Sequence, residues 1–202
     1  MFNYYSNVNL TEGKTVKELA KSGVYTFVKL EGADDVNKFE IGFADTESKH
    51  EFGFFKGLGM VNYSKSFKTW LREFPRPIFI AATRHDMIIA WVYITNWNKP
   101  SRDGDSIYVL RAIETIERFR SRKLGFRLLT LGLNQTSGYM ITKPLNEKAE
   151  RFFRKAGFMG ENDFKSCPID LSGYSGYLIL PPFKKQQILK DSDRYFSKED
   201  KK

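Results

Sequence analysis

Apolar positions change period along the chain, and each change marks the passage from one kind of element to another. Alternation in VYTFVKLE (Val24–Glu31) and KFEIGFAD (Lys38–Asp45) predicts two strands, parted by the turn-forming EGADD. The stretch FGFFKGLGM (Phe52–Met60) is rich in glycine and aromatics and reads as a loop or a broken strand. In SKSFKTWLREF, Phe67, Trp70, Leu71 and Phe74 fall on one helical face. That spacing predicts a helix over Ser64–Phe74, with a serine as N-cap and Pro75 and Pro77 as its stop. Apolar runs from Pro77 to Arg84 and from Met87 to Trp97 form a hairpin turning at His85-Asp86. Asn98–Asp105 is a loop and Ser106–Thr115 a further strand. A basic segment then leads into a helix reaching about Asn134, followed by a strand over Gln135–Thr142. Pro144–Phe158 reads as a helix with proline near its start, Arg154-Lys155 in its last turn and Gly157 past its end. Gly173–Pro182 is a late strand closed by prolines. The expectation is one α+β domain over 1–183 and a charged tail over 184–202, the tail a loose helix or disordered.

Composition narrows the class. Of the 202 residues, 41% are hydrophobic and 15% aromatic, ample for one sizeable core. No apolar run approaches the roughly 18 residues of a membrane span, so no membrane partner is expected. MFNYYSNVNL lacks the basic-then-apolar build of a signal peptide. One cysteine, Cys167, excludes an internal disulfide framework and fits a reducing, cytoplasmic setting. With only His50 and His85 besides, no metal site is expected. The net charge of +9 favours anions of every kind: nucleic acid, anionic cofactors and acidic proteins alike.

The charge is concentrated in RFRSRKLGFRLL (Arg118–Leu129), which holds four arginines and one lysine and no acid. Three readings fit it: a solvated helix start, a nucleic-acid contact, or a cradle for a phosphate-bearing cofactor. The physics of the cradle is simple. A helix start carries backbone N–H groups with no intrahelical acceptor and a partial positive charge. It therefore binds phosphate. The amides from Arg122 to Phe126 would cup a pyrophosphate, and Arg120, Arg122, Lys123 and Arg127 would supply countercharge. Gly125 would let a ligand or a neighbouring element approach the backbone.

Two motifs carry a resemblance. LRAIETIERFRSRKLGFRLL (Leu110–Leu129) resembles the acetyl-CoA-binding segment of the GNAT (Gcn5-related) N-acetyltransferase family. There a strand runs into a basic turn, Gln/Arg-x-x-Gly-x-Gly/Ala, and then a helix. NEKAERFFRKAGF (Asn146–Phe158) resembles that family's second signature. The hairpin at Pro77–Trp97 fits the strands that precede them. The resemblance covers Pro75 to Gly160; residues 1–64 have no counterpart in it. It implies a central mixed, mostly antiparallel sheet flanked by helices, with acetyl-CoA or CoA as cosubstrate and no metal.

What the resemblance implies for individual residues is specific. Ile113, Glu114 and Thr115 would lie where the sheet splays and pair with the pantetheine arm. Arg120, Ser121, Arg122, Lys123, Leu124, Gly125 and Phe126 would form the phosphate turn. Asn146 would bond the pantetheine, cap its helix, or do both. Glu114 would serve as general base toward an amine; the plain alternative is an exposed strand residue. The chain departs from the pattern twice. Lys123 stands where the family has its first glycine, at a cost of ~1 kcal/mol if a left-handed backbone is required there. Phe153 stands where many members place a tyrosine that protonates the CoA thiolate, so it reads as pocket wall, with Tyr139, Tyr174 and Tyr177 as substitute acids. The implied activity is acetyl transfer to a primary amine in a ternary complex. A GNAT-fold protein that binds acyl-CoA without turnover and a basic nucleic-acid-binding module are the other readings, the last disfavoured because most aromatics sit at core spacing. The net charge leans toward an acidic acceptor, and the aromatic stretch Phe52–Tyr63 toward a wall of the acceptor site.

Overall fold

A computed structural model describes residues 16–42, 52–192 and 196. The chain opens with β1 (Lys17–Ser22), β2 (Tyr25–Leu30), a turn of helix α1 (Ala33–Val36) and the two-residue β3 (Glu40–Ile41). Then come α2 (Phe54–Gly57), α3 (Tyr63–Trp70), β4 (Ile78–Arg84), β5 (Met87–Trp97) and β6 (Ile107–Thr115). The chain continues through α4 (Leu124–Asn134), β7 (Tyr139–Thr142), α5 (Glu147–Lys155), β8 (Met159–Gly160), β9 (Leu178–Leu180) and α6 (Pro182–Lys190). The strands form one sheet in the order β1-β2-β4-β5-β6-β7-β9-β8, with β3 on β5. Pairing is antiparallel except for β6 with β7 and β3 with β5. This is the α+β, mostly antiparallel architecture expected from the sequence.

The sheet carries a different core on each face. On one face, Phe79, Trp91 and Tyr93 meet α3: Trp70 stacks on Tyr93 at 4.6 Å and Phe67 lies 4.7 Å from Phe79. On the other, α4 lays Leu124, Leu128, Leu129 and Leu133 against β4, β5 and β6. Gly132 permits this: a Cβ there would stand 2.6 Å from the Ile94 side chain. A satellite cluster of Ile107, Val109, Tyr139, Ile141, Ile169, Leu171 and Ile179 fills the far side of the sheet, with Cys167 packed against it. Cys167 is thus a packing side chain, its thiol donating to the Ile169 carbonyl.

Several expected elements come out changed. β1 was not expected; KELAKS has little apolar character, and among the described residues it is an edge strand paired only with β2. The strand expected over Lys38–Asp45 is only Glu40–Ile41 among the described residues, and 43–45 lie outside them. The expected loop at Phe52–Met60 contains the helical turn α2. α3 starts one residue earlier than expected, because Asn62, not Ser64, caps it by accepting from the Lys65 amide. It ends at Trp70, well before the prolines. The late strand shrinks to Leu178–Leu180, since Gly173 and Gly176 take positive φ and turn the chain ahead of it. Pro182 does more than close that strand: it is the first residue of α6, where its missing N–H costs nothing.

Candidate functional site

The site begins where two strands part. β7 starts against β6 through a tight approach at Gly138, whose φ is +63° and whose Cβ, if it had one, would stand 2.2 Å from the Ser106 carbonyl oxygen. From there β6 and β7 pair in parallel over only Ile107–Val109 and Tyr139–Ile141. The Thr142 hydroxyl donates to the Leu110 carbonyl at 3.0 Å, and the strands separate. β6 runs on to Thr115 with β5 on one side. Its other edge has no strand partner among the described residues. Ile113, Glu114 and Thr115 lie on this stretch, as the resemblance implied.

The split opens into a cavity of about 900 Å³. Its lining includes Ile113, Glu114, Thr115, Arg120, Ser121, Lys123, Leu124, Gly125, Phe126, Asn146 and Phe153. Of the residues proposed from sequence for the strand edge, the phosphate turn and the pocket wall, Arg122 and Arg127 are the two that do not line it. Arg127, expected as countercharge, is buried on the core side of α4 at 2% exposure and takes no part in the lining.

The basic turn carries two left-handed residues. A short 3-10 turn at Glu117–Phe119 leaves the strand, and Ser121 and Lys123 then adopt φ of 72° and 58°. A left-handed residue followed by a right-handed one, as Lys123 is by the first helical residue Leu124, turns successive amides toward one side. Lys123 precedes α4 in a left-handed conformation that glycine would adopt without strain. The first bond within the helix is donated by the Arg127 amide to the Lys123 carbonyl at 3.0 Å. The amides of Leu124 and Gly125, one turn earlier, have no carbonyl within the helix to reach. A Cβ on Gly125 would meet the Phe152 ring of α5 at 3.8 Å, an ordinary contact. Arg120 donates from Nε to the Thr115 carbonyl at 3.3 Å and pairs with Glu117 at 3.6 Å, which ties the turn to the end of β6.

α5 and α6 close the cavity. Asn146 caps α5 by accepting from the Ala149 amide at 2.9 Å, and it lines the cavity as well. Phe153 is buried against Phe152 and Phe158 and forms part of the wall. Lys148 and Lys155 of α5 and Lys184, Gln187, Ile188 and neighbouring Asp191 of α6 complete it. The sequence reading missed these. Their spacing on the two helices looks like ordinary surface charge until the helices converge on one opening. α6 is held to the turn after α4 by Lys185, whose buried ammonium donates to the Thr136 carbonyl and hydroxyl. The tyrosines offered as substitute acids lie elsewhere: Tyr139 donates to Asp103 at 2.6 Å, and Tyr174 and Tyr177 surround Trp97.

Glu114 is not an exposed strand residue. It is 5% exposed and lines the cavity. Its Oε1 accepts from the Phe54 amide at 2.8 Å and its Oε2 from the Tyr63 hydroxyl at 2.9 Å. Burial pushes its carboxyl above the ordinary carboxylate range, against the opposing pull of Tyr63, the amides of α2 and the Arg120 charge. The aromatic stretch Phe52–Tyr63 thus bears on the site through Phe54, which lines the cavity, and through Tyr63, which holds Glu114.

Among the described residues no group of His, Cys, Asp and Glu side chains could hold a metal ion, and no helix is long and apolar enough to cross a membrane. No protein-family model and no curated protein matches the chain. Solved structures do. A mutant AtaT toxin bound to the C-terminus of the antitoxin AtaR and acetyl-CoA aligns with a TM-score of 0.53 at 12% identity, over 82% of this chain and 98% of that one. The KacTA–DNA complex aligns at 0.55 and 15% identity, over 83% and 99%. A putative GNAT-family acetyltransferase from Desulfovibrio desulfuricans aligns at 0.51 and 13% identity, over 78% and 98%. Strand order, the parting of β6 from β7 and these likenesses agree: the chain has the fold of the GNAT superfamily of N-acetyltransferases.

Proposed function

We propose that the protein is an acetyl-CoA-dependent N-acetyltransferase that passes an acetyl group to a primary amine by direct transfer. One observation carries this reading. A single cavity joins a strand edge that has no strand partner among the described residues, a left-handed basic turn at a helix start, and a buried carboxylate. Each suits a different part of acetyl-CoA or its reaction: the strand edge suits the pantetheine amides, the turn the pyrophosphate, the carboxylate the amine proton. Lys148, Lys155 and Lys184 add cations where the remaining phosphate charge would lie. AtaT, of the same fold, has been solved with acetyl-CoA.

When bound, acetyl-CoA supplies the thioester carbonyl. This chain's residues do the rest. The edge of β6 at Ile113–Thr115 orients the arm and offers a main-chain N–H to the carbonyl oxygen as negative charge develops there. Glu114 takes the ammonium proton, directly or through water, on the lone pairs that Phe54 and Tyr63 leave unused. The amine attacks the carbonyl carbon, the C–S bond breaks, and the thiolate leaves. Phe153 has no proton to give, so water supplies it. A thiol is an adequate leaving group without a dedicated acid.

The acceptor amine sits on an acidic carrier in this reading, because the net charge of +9 concentrates anions at the surface. AtaT has been solved with acetyl-methionyl-tRNAfMet, an acylated amine on a polyanion. A second reading, acyl-CoA binding without turnover, draws on Phe153. Radiolabelled acetyl-CoA offered with acidic and basic peptides, small polyamines and aminoacyl-tRNA separates them. Transfer to an acidic acceptor, lost in Glu114→Gln, supports the enzyme. Binding without transfer to any amine supports the second reading.

A further inference from the structure

We infer that Tyr63 is a positioning residue for Glu114: it fixes which face of the carboxylate is turned to the cavity and holds that carboxylate ready to accept a proton. The inference rests on the transferase reading for its chemistry, and on geometry for Tyr63 itself.

Tyr63 opens α3, yet its hydroxyl reaches Glu114 on β6, 51 residues further along the chain. The direction of that bond is fixed. The Lys56 amide donates to the Tyr63 oxygen at 3.2 Å, so the phenolic proton is turned to Glu114 Oε2 at 2.9 Å. The Phe54 amide donates to the other oxygen at 2.8 Å. An ionised carboxylate only accepts, so with a donor on each oxygen Glu114 has one orientation, with its remaining lone pairs presented to the cavity it lines. The ring has no freedom to relax. It stacks on Phe52 at 5.1 Å and meets Phe67 and Trp91 edge-on at 5.9 and 6.2 Å. Trp91 stands directly opposite Glu114 across β5 and β6 and forms the apolar floor under both.

Few other groups govern the charge of Glu114. β5 contributes Trp91, which does not titrate. The turn after β6 contributes Arg120, which favours the carboxylate. Lys123, Lys148, Lys155, Lys184 and Asp191 lie around the rest of the cavity on α4, α5 and α6. Tyr63 itself stays protonated, its pKa pushed far up by burial and by the facing carboxylate. A hydroxyl that donates to the ionised form lowers the proton affinity of Glu114. This offsets part of the burial that keeps the carboxyl above its ordinary range.

The test uses Tyr63→Phe, which keeps the ring and removes one oxygen, with Tyr93→Phe as the control. Tyr93 also donates to a glutamate, Glu73, but lies outside the cavity lining. The Glu114 carboxyl is titrated by carbon-13 NMR in protein without acetyl-CoA, its resonance assigned with Glu114→Gln, alongside the pH dependence of kcat/KM. In Tyr63→Phe the midpoint rises by about one unit and the acid limb of kcat/KM moves with it. KM for acetyl-CoA stays within about twofold in that variant, since the removed oxygen touches no cofactor site. Tyr93→Phe changes neither. A midpoint unmoved by Tyr63→Phe, or a limb that stays while the midpoint moves, overturns the inference. A raised midpoint in a protein that acetylates no amine refutes the transferase reading while the hold of Tyr63 on Glu114 stands.

Discussion

Two forces meet at the carboxyl of Glu114. Burial favours its neutral form, while Tyr63, the amides of α2 and Arg120 favour its charge; burial prevails and the pKa is raised. As the proposed base, Glu114 is then competent only above that raised midpoint. Activity therefore rises with pH through a limb that lies above the ordinary carboxylate range. Replacing Glu114 with Gln removes the limb and lowers kcat by about 10²–10⁴-fold, with acetyl-CoA affinity held within a few-fold. A pH series of initial rates on both proteins checks this. Lys123 carries strain of a different kind. At φ 58° its side chain costs ~1 kcal/mol against glycine, partly offset by the entropy glycine adds to the unfolded chain. Lys123→Gly is accordingly more stable by about 0.5 kcal/mol in urea unfolding. A loss of stability would contradict that account.

At the scale of elements, the site depends on where β6 and β7 stop pairing. Gly138 sets that register, because nothing larger fits beside the Ser106 carbonyl. Gly138→Ala forces the start of β7 away and adds a left-handed alanine. It costs at least about 2 kcal/mol, seen as a lower urea midpoint at unchanged slope. Much of this arrangement was legible in the sequence. The hairpin β4–β5, β6, α4 and α5 announce themselves because their apolar periods are long and their ends carry proline, glycine or caps. Ile113–Thr115 and the basic turn could be placed because both lie inside that well-marked run. What stayed hidden is what depends on distant partners. The short β3 and the edge strand β1 exist because β5 and β2 offer them hydrogen bonds, not because of their own pattern. The burial of Arg127 and the remoteness of Tyr139, Tyr174 and Tyr177 from the cavity follow from which face of an element meets the core. The Tyr63–Glu114 bond spans 51 residues, and no local spacing encodes it.

Across the whole molecule, the cavity gathers cations from separate elements: Arg120 and Lys123 ahead of α4, Lys148 and Lys155 on α5, and Lys184 on α6. A ligand that bridges them ties α6, α5 and the sheet together. Saturating acetyl-CoA at about a hundred times its Kd adds about 2.7 kcal/mol to folding stability. For a chain of this length that raises the melting temperature by roughly 5–10 °C, and differential scanning fluorimetry reads it directly. The central claim, that this cavity is an acetyl-CoA site built on phosphate recognition, is tested most directly by calorimetric titration of acetyl-CoA into the intact protein and into Arg120→Ala/Lys148→Ala. The account predicts one site of micromolar affinity, weakened at least about tenfold in the double variant, each lost charge-assisted contact costing about 1 kcal/mol or more. No heat of binding to the intact protein, or equal affinity in both, would contradict it.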